Sequence, residues 1–138
     1  MLDTYKTKTQ DSEQHGETND CSVIALSIVA ECSYAKALKA MTDAGRKPRK
    51  GATLDQMLTA AASLGIDLEC VYASNVEWVR QVYGKPTMRT VARRFNTPNK
   101  HFLAFVRGHV AAFRDGEVAD WTNGRRHQVQ AVFEVGRA

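Results

Sequence analysis

Apolar and polar residues along the chain alternate with three different rhythms. Positions 1–18 are almost wholly polar and read as a loosely ordered N-terminal arm without an element of its own. The character changes at Asn19-Asp20-Cys21. From Cys21 to Ala30 only Ser22 and Ser27 are polar, and no polar face recurs at helical spacing. This predicts a helix buried nearly all round, with Asp20 as its N-cap, the carboxylate accepting amides of the first turn. Ser33 predicts the cap of a second helix over 34–44, stopped by Gly45, with Ala37, Leu38 and Met41 on its apolar face. The loop 46–50 is too charged for a core. Thr53-Leu-Asp-Gln56 has the spacing of a capping box. The third helix, running to Leu64, carries Leu54, Met57, Leu58 and Ala61 on one face.

The period then changes. Residues 66–72 alternate and predict a strand. Short helices are expected over 76–83, capped by Asn75, and over 88–95, capped by Thr87. The last third keeps a period of two, with strands at 102–106, 109–114, 117–121 and 129–135. Turns fall at Arg107-Gly108, Asp115-Gly116 and Asn123-Gly124. Helices first and an antiparallel sheet last is the α+β arrangement, not the alternation of a doubly wound fold.

Length and composition narrow the picture. A chain of 138 residues is one domain by size, here 19–138 after the arm. With 43% apolar and 25% charged residues it has the make-up of a globular chain. The apolar stretch from Val23 to Ala30 is far too short for a bilayer, and the first residues hold no apolar leader core. Three cysteines, at 21, 32 and 70, without a CxxC pair argue against a disulfide framework or a closed zinc site. A cytoplasmic setting, no membrane partner and no cofactor are the expectations. The net charge of +4 is mildly basic. Basic residues cluster at Arg46, Lys47, Arg49 and Lys50, at Lys85, Arg89, Arg93 and Arg94, and at Arg125 and Arg126. Solvated surface is the expected role of such runs. Nucleic-acid binding requires that they share one face, and they lack interleaved aromatics.

The candidate chemistry lies in three residues. Cys21 starts a helix, where free amides and the helix dipole favour a thiolate and can receive an oxyanion. His109 starts a strand after a turn. If Asp115-Gly116 is a two-residue turn, Arg114 faces Glu117 and Ala111 faces Asp120. Asp120 is then a diagonal neighbour of His109 on the same sheet face. A cysteine, a histidine and an orienting carboxylate together make a nucleophilic acyl-transfer site. His101, at the start of the preceding strand, is the rival base, and Asn123 the rival orienting group. Cys32 and Cys70 read as packing residues, His15 and His127 as surface residues.

The order of these residues resembles the papain-like cysteine peptidases. Asn19-Asp-Cys-Ser-Val-Ile-Ala-Leu-Ser-Ile28 is similar to the cysteine segment of bacteriocin-processing peptidase domains. Together with Gly45-Arg-Lys-Pro48 and with 107–121, Arg-Gly-His-Val-Ala-Ala-Phe-Arg-Asp-Gly-Glu-Val-Ala-Asp-Trp, it resembles small papain-like proteins of bacteriophages and prophages. The resemblance spans residues 19–121. It implies a cysteine-bearing helix packed on the C-terminal sheet, and a thiol peptidase or isopeptidase acting on a protein or peptide, such as a host protein in a bacterial cytoplasm. Papain-like enzymes carry an oxyanion glutamine six residues before the cysteine. Here His15 stands there and Gln14 one earlier, so Gln14 and Asn19 are the candidate oxyanion donors. Asn19 matches an asparagine found two before the cysteine in ubiquitin-directed members. Two other readings stay open: a papain-like effector that binds and inhibits a host protein without chemistry, and a basic nucleic-acid-binding module.

Overall fold

The computed structural model describes residues 5–73, 81, 87–95, 97–115, 117–118 and 128–137. The chain divides into two compact units. One is Met1–Leu68 with Gly136–Ala138, the other Glu69–Val135.

The first unit is helical. Its helices are α1 (Tyr5–Gln14), α2 (Cys21–Val29), α3 (Tyr34–Asp43) and α4 (Leu54–Ser63). The polar N-terminal segment is thus helical from Tyr5. Apolar periodicity does not reveal α1 because its buried positions include polar residues, Lys8 and Ser12. Lys8 buries its stem and donates from Nζ to the Cys32 carbonyl at 2.9 Å. Helix α2 is buried from Ser22 to Val29, as the lack of a polar face at helical spacing predicts. Ser33 caps α3 through the Lys36 amide, and Tyr34, Ala37, Ala40 and Met41 face inward. Thr53 and Gln56 form both bonds of the capping box on α4. Leu54 departs from the expected face: at the first position of α4 it is exposed, and Met57, Ala60 and Ala61 form the buried stripe.

Three of these helices end in the same way. After α1, Gly16 donates to the Glu13 carbonyl and Glu17 to that of Ser12. After α3, Gly45 donates to Thr42 and Arg46 to Met41. After α2, Glu31 donates to Ile28 and Cys32 to Ser27. Each is the paired-bond terminus in which one residue turns left-handed. Gly16 and Gly45 do so freely at φ 65° and 108°. Glu31 does so at φ 54°, with a Cβ in the way.

The second unit contains most of a five-stranded sheet. Its strands are β1 (Ile66–Ala73), β2 (His101–Val106), β3 (His109–Arg114), β4 (Glu117–Val118) and β5 (Ala131–Arg137), in the order β1-β5-β2-β3-β4. The ladders β2–β3, β2–β5 and β3–β4 are antiparallel. The meander expected of the last third therefore holds for β2-β3-β4, but β5 returns to the far side of β2. A strand's period shows that it pairs and not where, so periodicity alone leaves this order open.

Strand alternation sorts the side chains into two faces. Phe102, Ala104, Val106, Ala111, Phe113, Val118 and Val132 lie on one face. They are buried together with Met88, Val91 and Ala92 of α5 (Met88–Arg94). Phe102 and Phe113, directly opposed across β2 and β3, stack at 5.0 Å. The opposite face carries Leu103, Phe105, Ala112 and Phe133, with Phe105 and Phe133 edge to face at 5.4 Å. The expected helix at 76–83 falls mainly outside the described residues.

Candidate active site

Cys21, Asn19 and Gln14 belong to the first unit and His109 to the second. Asp120, Asn123, Trp121 and His127 lie outside the described residues.

Cys21 is the first residue of α2 and the one residue of that helix that is half-buried; Ser22 to Val29 are all buried. The Asp20 carbonyl accepts the first rung of the ladder from Ile24 at 3.0 Å. Its carboxylate, expected to cap the helix, does not. Asp20 has φ −113° and ψ 27°, away from the extended geometry that turns a cap side chain back on its helix, and it makes no side-chain cap bond. The carboxylate is buried and accepts instead from the Tyr34 hydroxyl at 2.6 Å. The first-turn amides beside Cys21 are therefore left uncapped by Asp20. Burial, reinforced by the Asp20 hydrogen bond and charge, pushes the Tyr34 hydroxyl far above the ordinary tyrosine range. The Ser22 hydroxyl is buried with no hydrogen bond.

The segment leading to Cys21 is tied to the loop after α3. Glu17 and Arg46 occupy the same position in their helix termini, one residue beyond the left-handed glycine. They meet as an ion pair, Nη2 to Oε1 at 3.0 Å, with side chains 8% and 1% exposed. The same Nη2 donates to the Thr18 carbonyl at 3.3 Å. Glu17 Oε1 also accepts from the Arg49 amide at 2.9 Å. Asn19, left-handed at φ 51°, donates from Nδ2 to the Arg49 carbonyl at 3.2 Å. Arg46 is thus a buried residue and not part of a solvated loop. Its charge is met by Glu17 from 29 residues away. The basic cluster keeps Lys47, Arg49 and Lys50 at the surface.

The other named residues of this unit have definite places. Gln14 ends α1 and is exposed. His15, where papain-like enzymes place glutamine, donates from Nδ1 to the Asp11 carbonyl at 2.8 Å. Its ring lies 5.2 Å from that of Tyr34. Cys32 is half-buried, and burial raises its thiol above the ordinary value. Exposed Cys70, at β1, donates from Sγ to the Tyr72 carbonyl at 3.3 Å.

In the second unit His109 begins β3, opposite Val106 across a two-residue turn in which Gly108 has φ 72°. It is half-buried, on the Ala111 and Phe113 face. His101 is buried, opposite Arg114 on the other face of the sheet. The two histidines therefore address different sides. The β3–β4 register pairs Arg114 with Glu117 and Phe113 with Val118, as a two-residue turn at 115–116 requires.

Among the described residues no group of three His, Cys, Asp or Glu side chains is placed to hold a metal ion. No single described helix is long and apolar enough to cross a membrane; α2 and α3 together pass that test only as a pair bent by 117°. Compared with family models, curated proteins and solved structures, the chain matches none.

Sequence reasoning missed Glu17, Tyr34 and the burial of Arg46. One signal for the ion pair was present: an acid and a base each directly follow a glycine that can end a helix. That signal is readable only once α1 is recognised.

Proposed function

We propose that the chain is a papain-like thiol hydrolase cleaving a peptide or isopeptide bond, with Cys21 as nucleophile, His109 as acid and base, and Asp120 as the group that orients His109. The observation that carries this reading is the setting of Cys21. A helix sealed from solvent along eight residues presents only its first side chain outward. That residue sits at the positive end of the helix dipole, beside amides that Asp20 leaves uncapped.

In this mechanism His109 takes the thiol proton and Sγ attacks the substrate carbonyl carbon. The oxyanion accepts hydrogen bonds from the Cys21 amide and from a side-chain amide, Asn19 or Gln14. One Asn19 N–H is committed to Arg49, which fixes the direction of the other. Collapse expels the amine, which leaves with the proton from His109. Water, deprotonated by His109, then hydrolyses the thioester and restores the thiol. His109 is favoured over His101 because the described part of the β3–β4 register, Arg114 with Glu117 and Phe113 with Val118, agrees with the two-residue turn from which the sequence argument for Asp120 starts. The resemblance to phage proteins makes a host protein in a bacterial cytoplasm the natural substrate.

A second reading, a host-protein binder with the fold but no chemistry, draws support from His15. The residue at the glutamine position is held by Asp11 and packed on Tyr34. Expression in bacterial cells separates the two. The hydrolase produces new peptide termini or freed isopeptide partners that are absent with Cys21→Ala. Identical products from both proteins overturn the hydrolase.

A further inference from the structure

We infer that Lys47, Arg49 and Lys50 form a cationic rim beside Cys21 that selects an acidic segment of a peptide substrate. The inference rests on the thiol-hydrolase reading for its substrate class and on the first unit's geometry for its placement. The three side chains are exposed, on a loop held to the Cys21 approach by two bonds to Arg49, from Asn19 and to Glu17. Covalent reach through the Asn19 bond puts the Arg49 and Cys21 Cα atoms at most about 17 Å apart.

Among the described residues none of the three side chains is in an ion pair. Of the acids around the loop, Glu17 is spent on buried Arg46, while Asp55, exposed in the first turn of α4, is in no ion pair with the three. Asp43, the acid at the end of α3, is paired with Lys39 at 2.8 Å. The Asp20 carboxylate is buried under the Tyr34 hydroxyl. The loop carries no aromatic residue on which a base can stack, which favours a carboxylate-bearing peptide over single-stranded nucleic acid.

Two alkylating agents of similar size read the rim directly: anionic iodoacetate and neutral iodoacetamide. Their rates at Cys21 are measured by peptide-resolved mass spectrometry in the full chain and in the variant Lys47→Ser, Arg49→Asn, Lys50→Ser. Asparagine keeps the left-handed conformation of position 49, φ 60°. Three charges held about 12 Å from a thiol would lower the iodoacetate-to-iodoacetamide ratio about threefold on removal at ~10 mM ionic strength, and only about 1.5-fold at ~0.15 M, and a fall of that order is the result expected in the variant. A hexaglutamate peptide slows iodoacetamide at Cys21 of the wild type more than hexalysine or a single-stranded oligonucleotide does. An unchanged ratio in a variant with wild-type circular dichroism overturns the rim. Stronger protection by the oligonucleotide overturns the peptide in favour of nucleic acid. Repeating the ratio in His109→Ala separates the two claims. A preference that persists there leaves the rim standing even if no hydrolase activity is found.

Discussion

Breaking the Glu17–Arg46 pair tests whether the approach to Cys21 is held by a buried ion pair. Arg46 is 1% and Glu17 8% exposed in their side chains, so neither charge has water to fall back on. Removing one partner of such a pair costs about 3–5 kcal/mol, because the other charge stays buried and uncompensated. Glu17→Gln keeps an oxygen for the Arg49 amide and the Arg46 Nη2, so it belongs at the lower end, about 3 kcal/mol. Glu17→Ala also discards those bonds, at 2.9 and 3.0 Å, and moves toward about 5 kcal/mol. Arg46 Nε already lacks a hydrogen bond, so the pair is imperfectly satisfied. The double variant Glu17→Gln, Arg46→Met should therefore recover part of the loss, with a coupling of about 2 kcal/mol against additivity. Urea unfolding followed by circular dichroism measures each value, provided the slope stays constant. Single variants that cost under about 1 kcal/mol and add without coupling would refute the reasoning, since that is how a solvated pair behaves.

Glu31→Gly relieves a left-handed residue at the end of α2 and should stabilise by about 0.5–1 kcal/mol. The exposed contact to Arg137 that it gives up is worth little, so a lower thermal midpoint in Glu31→Gly contradicts this account. Tyr34 sets an alkaline limit. Its hydroxyl titrates higher folded than unfolded, so above about pH 10 the folded state holds the proton that the unfolded chain loses. Stability should therefore fall as pH rises through the unfolded tyrosine range and on toward the folded value. Tyr34→Phe should flatten that slope in urea titrations at successive pH values; an unchanged slope contradicts the burial argument.

Much of this fold is legible in local pattern. The apolar run without a polar face gives α2, the Thr-x-x-Gln spacing gives the start of α4, and period two gives β2 and β3 with the register of their turns. Other features depend on partners distant in the chain. Helix α1 is invisible to apolar periodicity because it buries Lys8 and Ser12, whose partners lie elsewhere. Asp20 has the composition of a cap, but Tyr34, 14 residues on, claims its carboxylate. Arg46 looks like one more solvated charge until Glu17 is brought to it. The place of β5 beside β2 follows from long-range pairing. Of the candidate site, the place of Cys21 at the start of a helix is legible; its partial exposure is not. Neither is the clamp that holds its approach.

The central claim is that Cys21 and His109 act as a pair, and the most direct test is the rate of Cys21 alkylation by iodoacetamide at about pH 6, where a free thiol is almost wholly protonated. Wild type, His109→Ala and His101→Ala are compared, with Cys70 followed in the same digest. The account predicts that Cys21 in the wild type outpaces exposed Cys70, that His109→Ala slows it by about tenfold or more, and that His101→Ala leaves it unchanged. Equal Cys21 rates in the wild type and His109→Ala, or a loss confined to His101→Ala, would contradict it.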